Sequence, residues 1–153
     1  MATTATDKAT LTVREIATAD AAAVAELSGQ LGYETSSAEM EQRMNEILPL
    51  RKGHAALVAC LGDEVVGWIE AEVMHHLQSP PHSLITGLVV KDGVRSLGVG
   101  GRLCAEIEEW SRREGVGVVR VTSRMTRERA HRFYLREGYT QTKTSAVFEK
   151  ALS

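Results

Sequence analysis

The ten residues VRSLGVGGRL (Val94–Leu103) hold three glycines within four positions. An apolar run, LITGLVV (Leu84–Val90), stands before them, and an amphipathic segment, VGGRLCAEIEEWSRREG, continues from them. A strand, a glycine turn and a helix in that order fix a local topology. Glycine admits positive φ and lets a ligand approach the backbone closely. Amides that open a helix point at one place, where the helix dipole adds partial positive charge. Such a spot suits an anion, above all a phosphate. Arg95 and Arg102 flank it with full charges.

Two phosphate-loop patterns fail on these residues. The nucleoside triphosphate loop needs Lys-Ser/Thr after its last glycine. Here Arg102-Leu103 follows Gly101. The dinucleotide fingerprint needs a third glycine and an acid about twenty residues on, at the end of the next strand. Leu103 stands where that glycine belongs, and no Asp or Glu lies between Glu114 and Glu128.

The flanking sequence predicts a mixed α/β (α+β) domain. Leu11–Ile16 alternates as a strand. A helix follows from Thr18 or Asp20 to Gly32. A second is capped by Ser36 or Ser37 and stopped at Pro49, with a core stripe of Met40, Met44, Ile47 and Leu48. HAALVACLGDEVVGWIEAEVMHH reads as a hairpin turning at Gly62-Asp63. Gly87, inside the strand that leads to the glycine turn, signals a bulge or a close backbone approach. Val99–Glu114 is a helix ended by Gly115, Val116–Ser123 a strand, and TRERAHRFYLREG a helix stopped by Gly138. One or two last strands are expected from Tyr139 onward. With 153 residues the chain suits one domain, residues 11–153, after a disordered segment, residues 1–10.

Composition narrows the function classes. The formal net charge of −2 gives no global attraction to nucleic acid or anionic membranes. The basic stretch RMTRERAHR reads as a solvated helix face. No apolar run approaches a membrane span, and MATTATDKAT lacks a signal peptide's apolar region. The two cysteines, Cys60 and Cys104, lie in core-like patterns, which fits a reducing, cytoplasmic setting without disulfides. Adjacent His75 and His76 point to opposite faces if extended, so no metal site is expected.

LVVKDGVRSLGVGGRL resembles the acetyl-coenzyme A loop of the GNAT superfamily of N-acyltransferases, Arg/Gln-x-x-Gly-x-Gly/Ala opening a helix. Here that pattern is Arg95-Ser96-Leu97-Gly98-Val99-Gly100. AHRFYLREGY (Ala130–Tyr139) is similar to the family's later helix, in which a small residue and Phe-Tyr precede Gly-Tyr. The resemblance covers about Leu11 to Lys150. It implies a mixed, mostly antiparallel central sheet flanked by helices, with a βαβ cofactor-binding half. It also implies acetyl-CoA as co-substrate, no metal, and direct acetyl transfer to a small-molecule or peptide amine in a ternary complex. The loop from Arg95 to Gly101 would hold the pyrophosphate on its amides, and Leu88, Val89 and Val90 would flank the pantetheine arm. Ala130 would leave room for the cofactor, and Tyr134 would protonate the departing thiolate. Many family members dimerise through the last strands, so a homodimer is compatible.

One departure stands out. Many family members supply a glutamate base from the central strands, and here the strand before the loop, Leu84-Ile85-Thr86-Gly87-Leu88, contains no acid. Glu70 and Glu72, two apart on the preceding strand, share a face and are substitutes, though solvent-facing carboxylates would look the same. His75, His76 and His82 are further candidates. Gln30–Ser37, with Tyr33 and Glu34, and Thr140–Ser145 correspond to acceptor-lining segments. The missing acid also leaves open a non-catalytic acyl-coenzyme A-binding regulatory module.

Overall fold

A computed structural model describes residues 10–49, 52–123 and 127–153. Residues 1–9, most of the segment expected to be disordered, lie outside the described residues, as does Arg124 of the basic stretch. The chain divides into two compact units, one ending at Val121 and the other beginning at Thr122.

The first unit is built on a five-stranded sheet in the order β1-β2-β3-β4-β5. Its strands are β1 (Leu11–Glu15), β2 (His54–Leu61), β3 (Glu64–Met74), β4 (His82–Val90) and β5 (Val119–Val121). The first three pairings are antiparallel, and β4 pairs with β5 in parallel. Three helices join them: α1 (Ala21–Ser28), α2 (Ser37–Ile47) and α3 (Val99–Arg113). The β4–α3–β5 crossover is the expected βαβ half.

Local chemistry explains the boundaries. Ser36 caps α2 through a reciprocal box, accepting from Glu39 N–H at 3.1 Å while Ser36 N–H donates to the Glu39 carboxylate at 2.9 Å. Gly32 turns the chain after α1 at φ 86°. Gly62-Asp63 closes the β2–β3 hairpin.

Gly67 and Trp68 point to opposite faces of β3, and each face has its own cover. On one, Ala21, Val24 and Met44 pack over Val58 and Cys60, with Met40, Leu48 and Trp68 at the margin. The methionine stripe is therefore core. On the other, Val99, Leu103 and Ile107 of α3 are fully buried. A Cβ on Gly67 would lie 3.1 Å from Val99 Cγ1 and 3.3 Å from Leu103 Cδ1, so glycine lets the start of α3 approach the sheet.

Asp20 joins β1 to α1. Its carboxylate takes both Arg14 guanidinium nitrogens at 2.8 Å and Ala17 N–H at 2.8 Å. The Arg14 hydrogen bonds hold the Asp20 carboxyl below its usual range, against the opposing effect of burial. A lowered folded pKa contributes stability that is complete above about pH 4 and lost as pH falls through the folded value. Asp20→Asn is expected to cost about 2 kcal/mol at neutral pH. The deficit should shrink toward pH 2, as measured by urea unfolding; a deficit constant with pH would overturn this assignment.

The second unit holds α4 (Glu128–Arg136), ended at Gly138 with φ 93°. From Tyr139 to Ser153 no regular structure is found, in contrast to the one or two strands expected. Strands need a ladder partner, and apolar alternation alone does not provide one. Val147, Phe148 and Leu152 in this segment are 87%, 92% and 87% exposed. The strand expected over Val116–Ser123 is likewise only three residues long, because β5 pairs with β4 only at Ser83, Leu84 and Ile85.

Candidate active site

The divergence of β5 from β4 leaves one edge of β4 open. Beyond Ile85, β4 continues to Val90 with β3 on one edge, and no β5 pairing is found on the other among the described residues. That edge offers backbone N–H and C=O groups to an extended ligand, as a sheet edge accepts an added strand. Leu88 and Val90 are half-buried along it, and Val89 is buried.

Gly87 sits at the irregularity the sequence signalled. The β3–β4 register shifts between Glu70 and Ala71, which face Gly87 and Ile85 and leave Thr86 as the extra residue. A Cβ on Gly87 would lie 2.6 Å from the Trp68 ring, so both readings of this glycine hold: a bulge and a close approach.

β4 runs into the glycine loop through a braced turn. Lys91 N–H returns to Val66 O at 2.8 Å, and the Lys91 ammonium pairs with Glu64. Arg95–Leu97 forms a 3-10 turn, and Gly98 adopts φ 76°, ψ 19° directly before α3. No side chain caps α3. Arg95, Leu97 and Gly98 are exposed, while Val99 and Gly100 are buried and Gly101 is half-buried. Residues 95 to 101 thus present an accessible helix N-terminus. Arg95 braces this loop: its guanidinium pairs with Asp92 at 2.8 Å. Arg102 reaches Glu106 at 3.4 Å.

Sequence reasoning missed one contributor. Gln30 donates to Val90 O at 2.9 Å and accepts from Asp92 N–H at 3.0 Å. One side-chain amide therefore holds the end of β4 and the turn behind it. The partners are sixty residues away in sequence, so no local pattern could reveal them.

At the other end of β4 a cleft of about 740 Å³ opens among β2, β3 and the chain after α3. Its polar lining includes Lys52, His54, Glu70, Glu72, His75 and Glu114. His54 Nε2 lies 2.7 Å from Glu70 Oε2, and Glu72 is exposed. His82 is buried and stacks on His76 at 5.4 Å between ring centroids, so neither lines this cleft. Tyr33 is exposed. Cys60 and Cys104 are buried, as core residues are. Among the described residues no group of three or more His, Cys, Asp or Glu could hold a metal ion, and no helix is long and apolar enough to cross a membrane.

In the second unit Tyr134 lies between two aromatic rings, Phe133 at 5.2 Å and Tyr139 at 5.9 Å, both edge-on. Tyr139 N–H bonds to Tyr134 O at 2.9 Å across the Gly138 turn. Ala130, one helical turn before Tyr134, shares its face and is also half-buried. The Thr140–Ser145 segment is exposed.

Sheet order, parallel crossover and glycine-opened helix together define a mixed α/β scaffold with an accessible helix N-terminus after β4. The chain belongs to the acetyltransferase (GNAT) family, whose model matches residues 21–139, and this places it among the acetyltransferase enzymes. It is 38% identical over 86 residues to an aminoalkylphosphonate N-acetyltransferase of Salmonella typhimurium, a match spanning 56% of each chain. It is 29% identical to a type 1 aminoglycoside N(6')-acetyltransferase of Stenotrophomonas maltophilia, over 92% of this chain and 94% of that one. Its fold matches AAC(6')-Iy, solved with the bisubstrate analog CoA-S-monomethyl-acetylneamine, at a TM-score of 0.82 and 18% identity. That match covers 94% of this chain and 99% of the other.

Proposed function

We propose that this protein moves the acetyl group of acetyl-CoA to a primary amine by direct transfer, with both substrates bound together. The carrying observation is the outer edge of β4 beyond Ile85, which among the described residues no strand pairs, followed by an α3 N-terminus with no side-chain cap among them. A long ligand with a diphosphate fits that path: backbone of Leu88, Val89 and Val90 for an extended amide-bearing arm, and amides between Arg95 and Gly101 for phosphate. Ser96 and Leu97 shape the loop, and Gly98, Val99, Gly100 and Gly101 supply its helix-opening amides. Tyr134 donates a proton to the leaving thiolate, and Ala130 leaves space beside it; their place in the family's motif supports both roles. Buried cysteines offer no nucleophile for a covalent route.

For the acceptor, the cleft's charge favours a cationic small molecule. Glu70, Glu72 and Glu114 outnumber Lys52 there, which welcomes extra ammonium groups and repels a phosphonate. Of the two relatives' substrates, the aminoglycoside type fits better. Thiol release from acetyl-CoA should be measured with kanamycin, 2-aminoethylphosphonate and a lysine peptide. The expected kcat/KM for kanamycin exceeds that for the phosphonate at least about tenfold, equivalent to about 1.4 kcal/mol. Acetyl-CoA binding without thiol release to any amine would replace this reading with the regulatory module.

A further inference from the structure

Acetyl transfer needs somewhere to put a proton. A lysine-like amine, with pKa near 10.4, reaches the site as an ammonium at neutral pH and must lose a proton before it can attack. β4 carries no acid where it faces the unpaired edge. The neighbouring strand does. Glu70 lies directly across from Gly87, at the bulge that leaves Thr86 unpaired in the register. Thr86 Oγ1 points back toward Glu70 O at 3.4 Å. Among the β3 residues lining the cleft, Glu70 is nearest in register to the unpaired stretch of β4, because Glu72 pairs opposite Leu84. Trp68 fills the space a Gly87 side chain would occupy, and Glu70 shares the Trp68 face of β3.

Glu70 is not a bare surface carboxylate. Its Oε2 meets His54 Nε2 at 2.7 Å, with the two side chains 31% and 13% exposed. Both line the cleft, so one end of the pair is reachable by an acceptor and the other by water. The charged and titratable groups lining the cleft with it are Lys52 ahead of β2, Glu72 from β3, His75 just after β3, and Glu114 after α3; Ile47 at the end of α2 brings none.

We propose that Glu70 takes the proton from the acceptor ammonium and that His54 relays it to the water of the cleft. The inference rests on the acetyltransferase reading. The ammonium N–H bond breaks toward a Glu70 oxygen, which frees the nitrogen lone pair. His54, as its Nδ1–H tautomer, receives that proton at Nε2; the imidazolium releases the Nδ1 proton to water, and exchange of the imidazole with water restores the starting tautomer. The nitrogen then forms its bond to the thioester carbon, and the C–S bond breaks. The expelled sulfur takes up one proton, and the nitrogen sheds its second. One proton ends on sulfur and one in solvent. Glu70 is the catalytic residue in this scheme, and His54 is a positioning and relay residue.

The test uses the full chain with acetyl-CoA and the amine of the probe set that gives most thiol release. Glu70→Gln and His54→Gln are compared with wild type from about pH 6 to 9.5. Glu70→Gln is expected to lower kcat about 100-fold near pH 7, the usual size of a base effect. The acceptor KM and the acetyl-CoA dissociation constant should each move less than about threefold. The kcat deficit should shrink as the amine deprotonates itself at high pH. His54→Gln keeps a hydrogen bond but carries no proton, so kcat should fall about tenfold with the same convergence at high pH. Should Glu70→Gln fail to fold, judged by its melting curve, His54→Gln carries the test. An ion pair that merely ties β2 to β3 would lower the melting temperature and leave the kcat ratio flat with pH; that result, or an unchanged kcat, overturns the proposal. A wild type that releases no thiol with any amine overturns the acetyltransferase reading itself and takes the role of the pair with it.

Discussion

Tyr134→Phe is expected to lower kcat about 100-fold, with the acetyl-CoA dissociation constant changed less than about twofold. The substitution removes one hydroxyl and keeps the ring. The edge-on contacts with Phe133 and Tyr139 therefore persist, and α4 keeps its ending at Gly138. In the proposed function the hydroxyl supplies the proton for the departing thiolate, and the substitution removes that donor. Steady-state kinetics beside calorimetric titration of acetyl-CoA separate the two quantities. A kcat equal to wild type at the pH optimum would remove Tyr134 from the chemistry and leave it a packing aromatic.

Gly98→Asp is expected to weaken acetyl-CoA binding about 100-fold. Two effects act together. Gly98 holds φ 76°, which a side chain adopts only at a cost of about 1–2 kcal/mol, less for Asp. A carboxylate also enters an exposed position where α3 begins without a cap. At about 4 Å from a phosphate and an effective dielectric near 20, repulsion reaches about 4 kcal/mol before salt screening reduces it. A Cβ at Gly98 meets no atom within 4 Å, so the fold itself should tolerate the change. Melting temperature and cofactor titration read the two consequences separately. Undiminished binding would show that the phosphates lie elsewhere.

Local signals made much of this molecule legible. The glycine loop, the caps at Ser36 and Gly32, the hairpin turn and the bulge at Gly87 all reside in a few consecutive residues, where backbone preference writes directly into sequence. The last segment was not legible in the same way. SAVFEKAL alternates well enough for a strand, but pairing depends on a partner that alternation does not name. The site divides similarly. The glycine loop is a contiguous motif, whereas Gln30 reaches β4 from the turn after α1, sixty residues away, and His54 meets Glu70 across the β2–β3 pair, sixteen residues away. Sequence could identify Glu70 as an acid on a strand. Only the register shows that it faces Gly87, and only the side-chain geometry, diagonal to the His54–Glu72 pairing, shows that it meets His54.

Helix α3 touches both ends of this arrangement. Its N-terminus opens the glycine loop, and Glu114, Gly115 and Val116, just past its C-terminus, line the acidic cleft. Fifteen residues at about 1.5 Å each set the two ends about 22 Å apart. The aligned peptide dipoles favour an anion at the first end and a cation at the second. Under the proposed function, one rod meets a phosphate at its first end and an ammonium at its second. Because those ends are separate, the proposed function lets residues around the cleft change to suit a new amine without altering the glycine loop.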